Sequence, residues 1–132
     1  MKTGFDWTTG LLAEGLQCYR STRFFEAHEH WESVWLTLRE PEKSFLQALI
    51  QVSAAFHHLQ SRNPRGAISL LSRALRRLDR CPPEFCCLDV VLLRNHVHEW
   101  LSALRNEGSQ LPPVYPAFQT LDPGGPSAAM ER

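Results

Sequence analysis

The sequence contains no apolar run of the ~18 residues that a bilayer-spanning helix needs, and its amino terminus has no apolar segment followed by a small-residue cleavage site. It also has no C-x-x-C pair, no Asn-Gly or Asp-Gly hairpin signal and no run of alternating β-branched residues. These absences argue against a membrane span, a secreted disulfide scaffold and a β-sheet protein. We therefore expect a cytoplasmic protein that is rich in helix.

The chain has no excess of either charge, since 14 basic residues balance 14 acidic residues among 132. A dedicated nucleic-acid binder normally carries a surplus of Lys and Arg, so the total disfavours that class. A chain of this length with 43% hydrophobic residues can bury a core without metal or disulfides. We expect the four cysteines to be reduced thiols. A zinc alternative combines Cys81 and Cys86 or Cys87 with His96 and His98, but these histidines point in different directions on a helix.

Apolar residues recur at helical spacing in five segments that turn residues separate. The predicted helices run from about Asp6 to Arg20, from an N-cap at Ser21 and Thr22 to the break at Glu40-Pro41, from there to about Ser61, from Pro64 to about Arg80, and from about Glu84 to Asn106. Asn63-Pro64 supplies an N-cap followed by proline at the first helical position. Gly108 stands where a helix stop belongs.

Five helices with short connections predict an all-α fold, a single-domain antiparallel bundle over residues 1–108. Residues 109–132 hold five of the nine prolines and are predicted to form an extended, partly disordered C-terminal strap. Residues 48–82 are similar to one tetratricopeptide unit, so helices three and four are expected to form a tetratricopeptide-like hairpin. Because a solenoid needs about three such repeats, this pattern indicates helix packing more than peptide binding.

Polar side chains enter the predicted core on helices two and three. Those on helix two are His28, Glu29 and Glu32, with Trp35 one turn later, and those on helix three are Gln47, Gln51 and His58. An unpaired buried polar group costs about 1–3 kcal/mol, so such a set is expected to be hydrogen-bonded internally or to hold a ligand. The sequence therefore predicts a polar site between these two helices.

Three interpretations of this polar site stay open. His28, Glu32 and His58 could ligate Zn, Fe or Mn, although the spacing matches neither H-E-x-x-H nor the paired E-x-x-H of di-iron bundles. His28 with Glu29 or Glu32 could act as general base and orienting group on a small polar ligand, which Trp35, Gln47, Gln51 and His58 would help to bind. The network could also only fix helix register. Our leading hypothesis is a metal or small-ligand site, with catalysis left open.

A family resemblance rests on the run FFEAHEHWESVW at residues 24–35, on FLQALIQ at 45–51, and on Asn63 with Gly66-Ala67. Over about residues 10 to 80 the chain resembles the bacterial and archaeal family catalogued as domain of unknown function 309. The resemblance implies a small cytoplasmic all-helical fold, and Ala48 stands where the family usually has Gly. The signature positions that it implies are His28, Glu29, Glu32, Trp35, Gln51 and His58. The family carries no established activity.

Helix four concentrates positive charge on the side opposite its apolar face. The arginines in question are Arg62, Arg65, Arg73, Arg76, Arg77 and Arg80. We call the outward set Arg65, Arg73, Arg76 and Arg80 the basic ridge. A solvated face is its simplest interpretation, and the alternative function is an interaction module that binds a protein or RNA through the ridge or the helical hairpin. No aromatic residues interleave with the arginines, which disfavours RNA.

Overall fold

The computed structural model describes residues 5–106 and 108–121. Within them, five α-helices and one two-stranded antiparallel hairpin are present, which confirms the predicted all-α bundle. The elements are α1 (Gly10–Arg20), α2 (Phe24–Trp35), α3 (Glu42–Gln60), α4 (Pro64–Leu78), β1 (Glu84–Phe85), β2 (Leu88–Asp89) and α5 (Val90–Arg105). No helix of this described part is long and apolar enough to cross a membrane.

The helix α3 forms the centre of the bundle. It packs against α2 on one side and against α4 on the other, while α1 covers α2 and α5 covers α4. Because α3 has neighbours on two sides, it is apolar over most of its circumference, and Phe45, Leu49 and Phe56 are fully buried. The predicted hairpin of helices three and four is confirmed, and its likeness to a tetratricopeptide unit stays a prediction.

The turn between α3 and α4 is built by a side-chain network. The Oδ1 of Asn63 accepts a hydrogen bond from the backbone N of Gly66 at 3.1 Å, and its Nδ2 lies 2.9 Å from Nδ1 of His58. A Cβ atom on Gly66 would lie 2.6 Å from the Nδ2 of Asn63, so only glycine fits there. The predicted Asn63-Pro64 helix start is confirmed. The contact with Asn63 also holds the His58 side chain in this turn.

The first two predicted helix starts are wrong. The helix α1 begins at Gly10 instead of Asp6, because the Asp6 carboxylate accepts a bond from the backbone N of Thr8 and forms a turn. The N-cap of α2 is Arg23, without a side-chain capping bond, instead of Ser21 or Thr22. Thr22 has a positive φ of 61° and closes the α1–α2 turn.

The predicted fifth helix is wrong at its beginning. Residues 84–89 form the β1–β2 hairpin, in which Glu84 pairs with Asp89. The two turn residues, Cys86 and Cys87, have φ values of 52° and 63°, a conformation that Asn and Gly usually provide. The α-helix therefore starts at Val90, after the Asp89 side chain caps the backbone N of Leu92 at 3.0 Å.

The described part of the C-terminal strap, residues 109–121, packs onto the helices in extended form. The hydroxyl of Tyr19 donates to the carbonyl of Pro116 at 2.7 Å, and Nε1 of Trp100 donates to that of Val114 at 2.9 Å. Phe118 is buried and stacks on the ring of Tyr19 at 4.3 Å between centroids. Residues 122–132, which the strap prediction includes, lie outside the described residues.

Candidate functional site

His28 lies on α2 at the edge of the core. Its Nε2 is 3.9 Å from Oε2 of Glu32, one helical turn later, and their side chains are 27% and 56% exposed. The ring of Phe25 stacks beside the imidazole at 5.9 Å between centroids. The Nδ1 of His28 is buried and has no hydrogen-bond partner among the described residues. His28 and Glu32 are therefore together, as predicted, and one imidazole nitrogen is unused.

The structure separates the other predicted acid and imidazole groups from this pair. Glu29 is exposed to solvent, and His58 is engaged with Asn63 at the α3–α4 turn. No group of three or more His, Cys, Asp or Glu residues in the described chain could hold a metal ion. Of the predicted metal set His28, Glu32 and His58, only the first two are brought together.

Gln51 and Gln47 lie on α3 as predicted. Gln51 is only 7% exposed, and its Oε1 is buried without a hydrogen-bond partner in the described residues. Gln47 is half-buried and lines a cavity together with Trp35. We call His28, Glu32, Trp35, Gln47 and Gln51 the α2–α3 site.

The four tryptophans show how unusual Trp35 is. The Nε1 atoms of Trp7, Trp31 and Trp100 donate to backbone carbonyls at 2.8, 3.2 and 2.9 Å. The Nε1 of Trp35 is also buried, but no described residue accepts its hydrogen. Buried indole N–H groups usually find a partner, so this exception singles out the α2–α3 site.

The open cavity beside Trp35 has a volume of about 290 Å³ and is lined by residues of α2, α3, α4 and the loop before α3. Its lining is polar and consists of Trp35, Glu40, Lys43, Ser44, Gln47 and Arg77. We call it the Trp35 cavity. Four of these residues are absent from the sequence-based site. Only packing reveals them, because Arg77 comes from α4 and the Glu40-Pro41 break brings Glu40 and Lys43 back toward Trp35.

Two charged side chains of the Trp35 cavity, Lys43 and Glu40, contact neutral partners. The Nζ of Lys43 lies 4.0 Å from the centroid of the Trp35 ring and donates to the Trp35 carbonyl at 3.3 Å. The Oε1 of Glu40 accepts the backbone N–H of Ser44 at 3.0 Å. Hydrogen bonds from Ser44, with the nearby charges of Arg77 and Lys43, lower the pKa of Glu40. Glu40 is therefore a carboxylate at neutral pH.

The basic ridge of Arg65, Arg73, Arg76 and Arg80 is exposed, as predicted. The helix α4 carries no acidic residue, and within the described chain no ridge arginine forms an ion pair within 4.0 Å. Arg77 is different because it is partly buried and lines the Trp35 cavity. The ridge is therefore an unneutralised positive surface next to that cavity.

The cysteines are free thiols, in agreement with the sequence prediction. Burial raises the pKa of Cys81, and it raises that of Cys86 to about 12 with smaller contributions from Glu42 and the neighbouring thiols. The Nδ1 of His96 accepts a hydrogen bond from the backbone N of Ala117 at 3.0 Å, so His96 binds the C-terminal strap to α5. These contacts give the cysteines and His96 structural roles.

Comparison with known proteins shows what the sequence of this chain is similar to. Residues 12–70 match the model of the family described as Domain of unknown function (DUF309). The predicted family resemblance is confirmed. The DUF309 match contains all five residues of the α2–α3 site, whereas Arg77 and most of the basic ridge lie beyond it.

A curated relative gives a second comparison. An "Uncharacterized protein" of Aquifex aeolicus (strain VF5) is 28% identical over 92 residues, which are 69% of this chain. The same stretch covers 28% of the relative, so this chain spans less than a third of that protein. Neither the relative nor the DUF309 description names a reaction, and the functional argument therefore rests on the geometry.

Proposed function

We propose that the protein binds a small polar ligand at the α2–α3 site. One observation carries the proposal: within the described residues, the buried side-chain nitrogen and oxygen atoms without a hydrogen-bond partner are Nδ1 of His28, Nε1 of Trp35 and Oε1 of Gln51. All three belong to this site. Each such atom costs about 1–3 kcal/mol when it is left unpaired, so a molecule that pairs with them gains that free energy on binding.

The three atoms also indicate what the ligand must offer. The Nε1 of Trp35 can only donate a hydrogen bond, and Oε1 of Gln51 can only accept one. His28 does either, depending on its tautomer. The ligand therefore carries both donors and acceptors. In an enzymatic version of this function, His28 is the general base and Glu32 is its orienting group.

The proposal favours a metal-free ligand over Zn, Fe or Mn. A resident divalent metal in a protein commonly takes three or more protein ligands, and His28 and Glu32 supply two. The third predicted ligand, His58, is held by Asn63. Elemental analysis of the purified protein separates the versions: stoichiometric Zn, Fe or Mn that disappears in His28→Ala would contradict the metal-free version.

A thermal-shift screen tests ligand binding. The panel contains nucleotides, sugar phosphates, amino acids and small organic acids, and binding to the folded state raises the Tm. We expect at least one class to stabilise the wild type and the matched control His30→Ala, which changes a histidine on α2 outside the site. The same compound is expected to have no effect on His28→Ala or Gln51→Leu. A panel without any stabilising compound, or one that acts equally on all variants, would refute binding at this site.

We also infer a second, non-enzymatic candidate, in which the basic ridge docks an acidic protein segment. Its support is the set of four exposed arginines without an ion-pair partner in the described chain. A fluorescent oligo-glutamate peptide and a single-stranded RNA of similar length are the probes. Peptide binding that weakens with salt and with the double change Arg73→Glu and Arg76→Glu would support this candidate. Indifference to that double change would refute it.

A further inference from the structure

The Trp35 cavity is rich in hydrogen-bond donors. Its lining offers the ammonium of Lys43, the guanidinium of Arg77 and the amide of Gln47, whereas the hydroxyl of Ser44 is already bonded to the Glu40 carboxylate. The one carboxylate, that of Glu40, already accepts the backbone N–H of Ser44 at 3.0 Å. Lys43 also donates to the Trp35 carbonyl at 3.3 Å, so the donors still available to a bound molecule are the guanidinium of Arg77, the amide of Gln47 and the remaining N–H groups of Lys43.

The formal charge of the lining agrees with this imbalance. Lys43 and Arg77 each contribute a positive charge and Glu40 contributes a negative one, so the lining carries one excess positive charge. A singly charged oxyanion neutralises this excess. The cavity volume of about 290 Å³ is at the lower end of the range for small-molecule sites, which suits one anionic group with a short attachment.

We propose that the Trp35 cavity binds the oxyanion group, a phosphate or a carboxylate, of a small ligand. The assignment rests on the proposed function, because Trp35 and Gln47 belong to both the cavity and the α2–α3 site. Arg77 binds the oxyanion through paired N–H donors, and Lys43 approaches it as a point charge. The unpaired polar atoms of His28 and Gln51 then contact the uncharged part of the molecule.

Glu40 has a positioning role in this arrangement. Its carboxylate holds the first turn of α3 through Ser44, which places Lys43 and Gln47 on the cavity wall. Because Glu40 is ionised, it also disfavours highly charged anions. The cavity is therefore selective for oxyanions of low charge.

The experiment is a titration followed by the indole N–H signals in a ¹⁵N-labelled protein. The probes are sodium phosphate, sodium acetate and the neutral compound glycerol, at constant ionic strength. We expect phosphate or acetate to shift the Trp35 signal and to leave the signals of Trp7, Trp31 and Trp100 in place. Such small probes bind weakly, with a Kd on the order of millimolar.

Variants locate the bound anion. Arg77→Gln and Lys43→Gln are each expected to raise the Kd at least tenfold. Arg73→Gln is the matched control, since it removes the same charge from an exposed position of α4 and is expected to change the Kd less than twofold. The spectrum of each variant without probe shows whether it is folded, and the two cavity variants provide independent tests.

The outcomes separate this inference from the proposed function. If both acetate and phosphate shift the Trp35 signal, the cavity is an oxyanion pocket. If phosphate alone shifts it, the pocket is assigned to phosphate compounds. If only glycerol or a neutral compound of the thermal-shift panel shifts the Trp35 signal, the oxyanion assignment is wrong and small-ligand binding stands. If no probe or panel compound shifts it, both are wrong. Anion binding that Arg73→Gln weakens as much as Arg77→Gln does would move the anion to the basic ridge and overturn the assignment.

Discussion

The strap side of the bundle and the α2–α3 site treat buried polar groups in opposite ways. On the strap side, the hydroxyl of Tyr19 and the indole of Trp100 both donate to backbone carbonyls of residues 109–121. At the α2–α3 site, the polar atoms of His28, Trp35 and Gln51 have no partner in the described chain. The strap side pairs these polar groups within the fold, whereas the α2–α3 site leaves them unpaired, which is the basis of the proposed ligand binding.

The helix α2 contains both situations within one turn. Trp31 is fully buried, packs against the rings of Tyr19 and Phe118, and donates to the carbonyl of Leu12. Trp35 is partly exposed, covered by Lys43, and unpaired at Nε1. The same residue type is thus paired within the core at one position and left unpaired at the other. Natural proteins often lose stability to keep such sites, which makes the contrast measurable.

Replacing each tryptophan of α2 by phenylalanine gives the largest expected difference. Trp31→Phe leaves a cavity in the core and removes the hydrogen bond to the carbonyl of Leu12, so we expect it to lower the free energy of unfolding by about 2–3 kcal/mol. Trp35→Phe removes an unpaired donor, and we expect it to change the free energy of unfolding by less than about 1 kcal/mol. Urea denaturation measures both. Equal losses would remove the distinction between the two tryptophans.

A comparison of Ser53 on α3 with Ser33 on α2 gives the next effect. The hydroxyl of Ser53 is fully buried and donates to the carbonyl of Phe24 at 2.7 Å, which ties α3 to the start of α2. We expect Ser53→Ala to cost about 1–2 kcal/mol, because it removes a buried hydrogen bond between α3 and α2. The control is Ser33→Ala, at an exposed position, with a change within about 0.5 kcal/mol. A neutral Ser53→Ala would show that this link contributes little.

Alkaline pH is expected to lower the free energy of unfolding gradually, and by less than the substitutions at Trp31 and Ser53 do. Burial raises the pKa of Tyr19 well above its usual value, and it raises that of Cys86 to about 12. The unfolded chain loses these protons at lower pH than the folded chain does. Their stabilising contribution is therefore complete below about pH 9 and declines as the pH rises toward 12.

Denaturation at several pH values under reducing conditions tests this expectation. The unfolding free energy of the wild type should fall from about pH 9 upward, and Cys86→Asn should fall less steeply. Asparagine is chosen because it tolerates the positive φ of residue 86. A wild type that is equally stable at pH 8 and 11, or an identical slope in Cys86→Asn, would show that burial of the thiol does not control this behaviour.

Local signals in the sequence predicted much of the fold. The spacing of apolar residues on α2, α3 and α4 predicts their faces because each helix is longer than two turns. Asn63-Pro64 predicts the start of α4 because the capping bond is made within four residues. The β1–β2 hairpin was missed, since Cys86 and Cys87 occupy turn positions that other residues usually fill.

The candidate site could be predicted only in part. Helical spacing places His28 near Glu32, because both lie on one face of one helix. It could not show that His58 is held by Asn63, or that Arg77 lies at the cavity while its neighbours on the ridge face solvent. Those facts depend on how α3 and α4 pack. Which polar atoms stay unpaired likewise depends on contacts between helices.

Gln51→Leu tests most directly whether the α2–α3 site is kept for a ligand. Two quantities are measured on this variant: the free energy of unfolding without ligand, and the Tm shift with a compound that stabilises the wild type. We predict that the free energy of unfolding stays equal or rises by up to about 1 kcal/mol, because an unpaired buried amide oxygen is removed, and that the Tm shift is lost. A loss of stability as large as that of Ser53→Ala, with the Tm shift intact, would contradict the account.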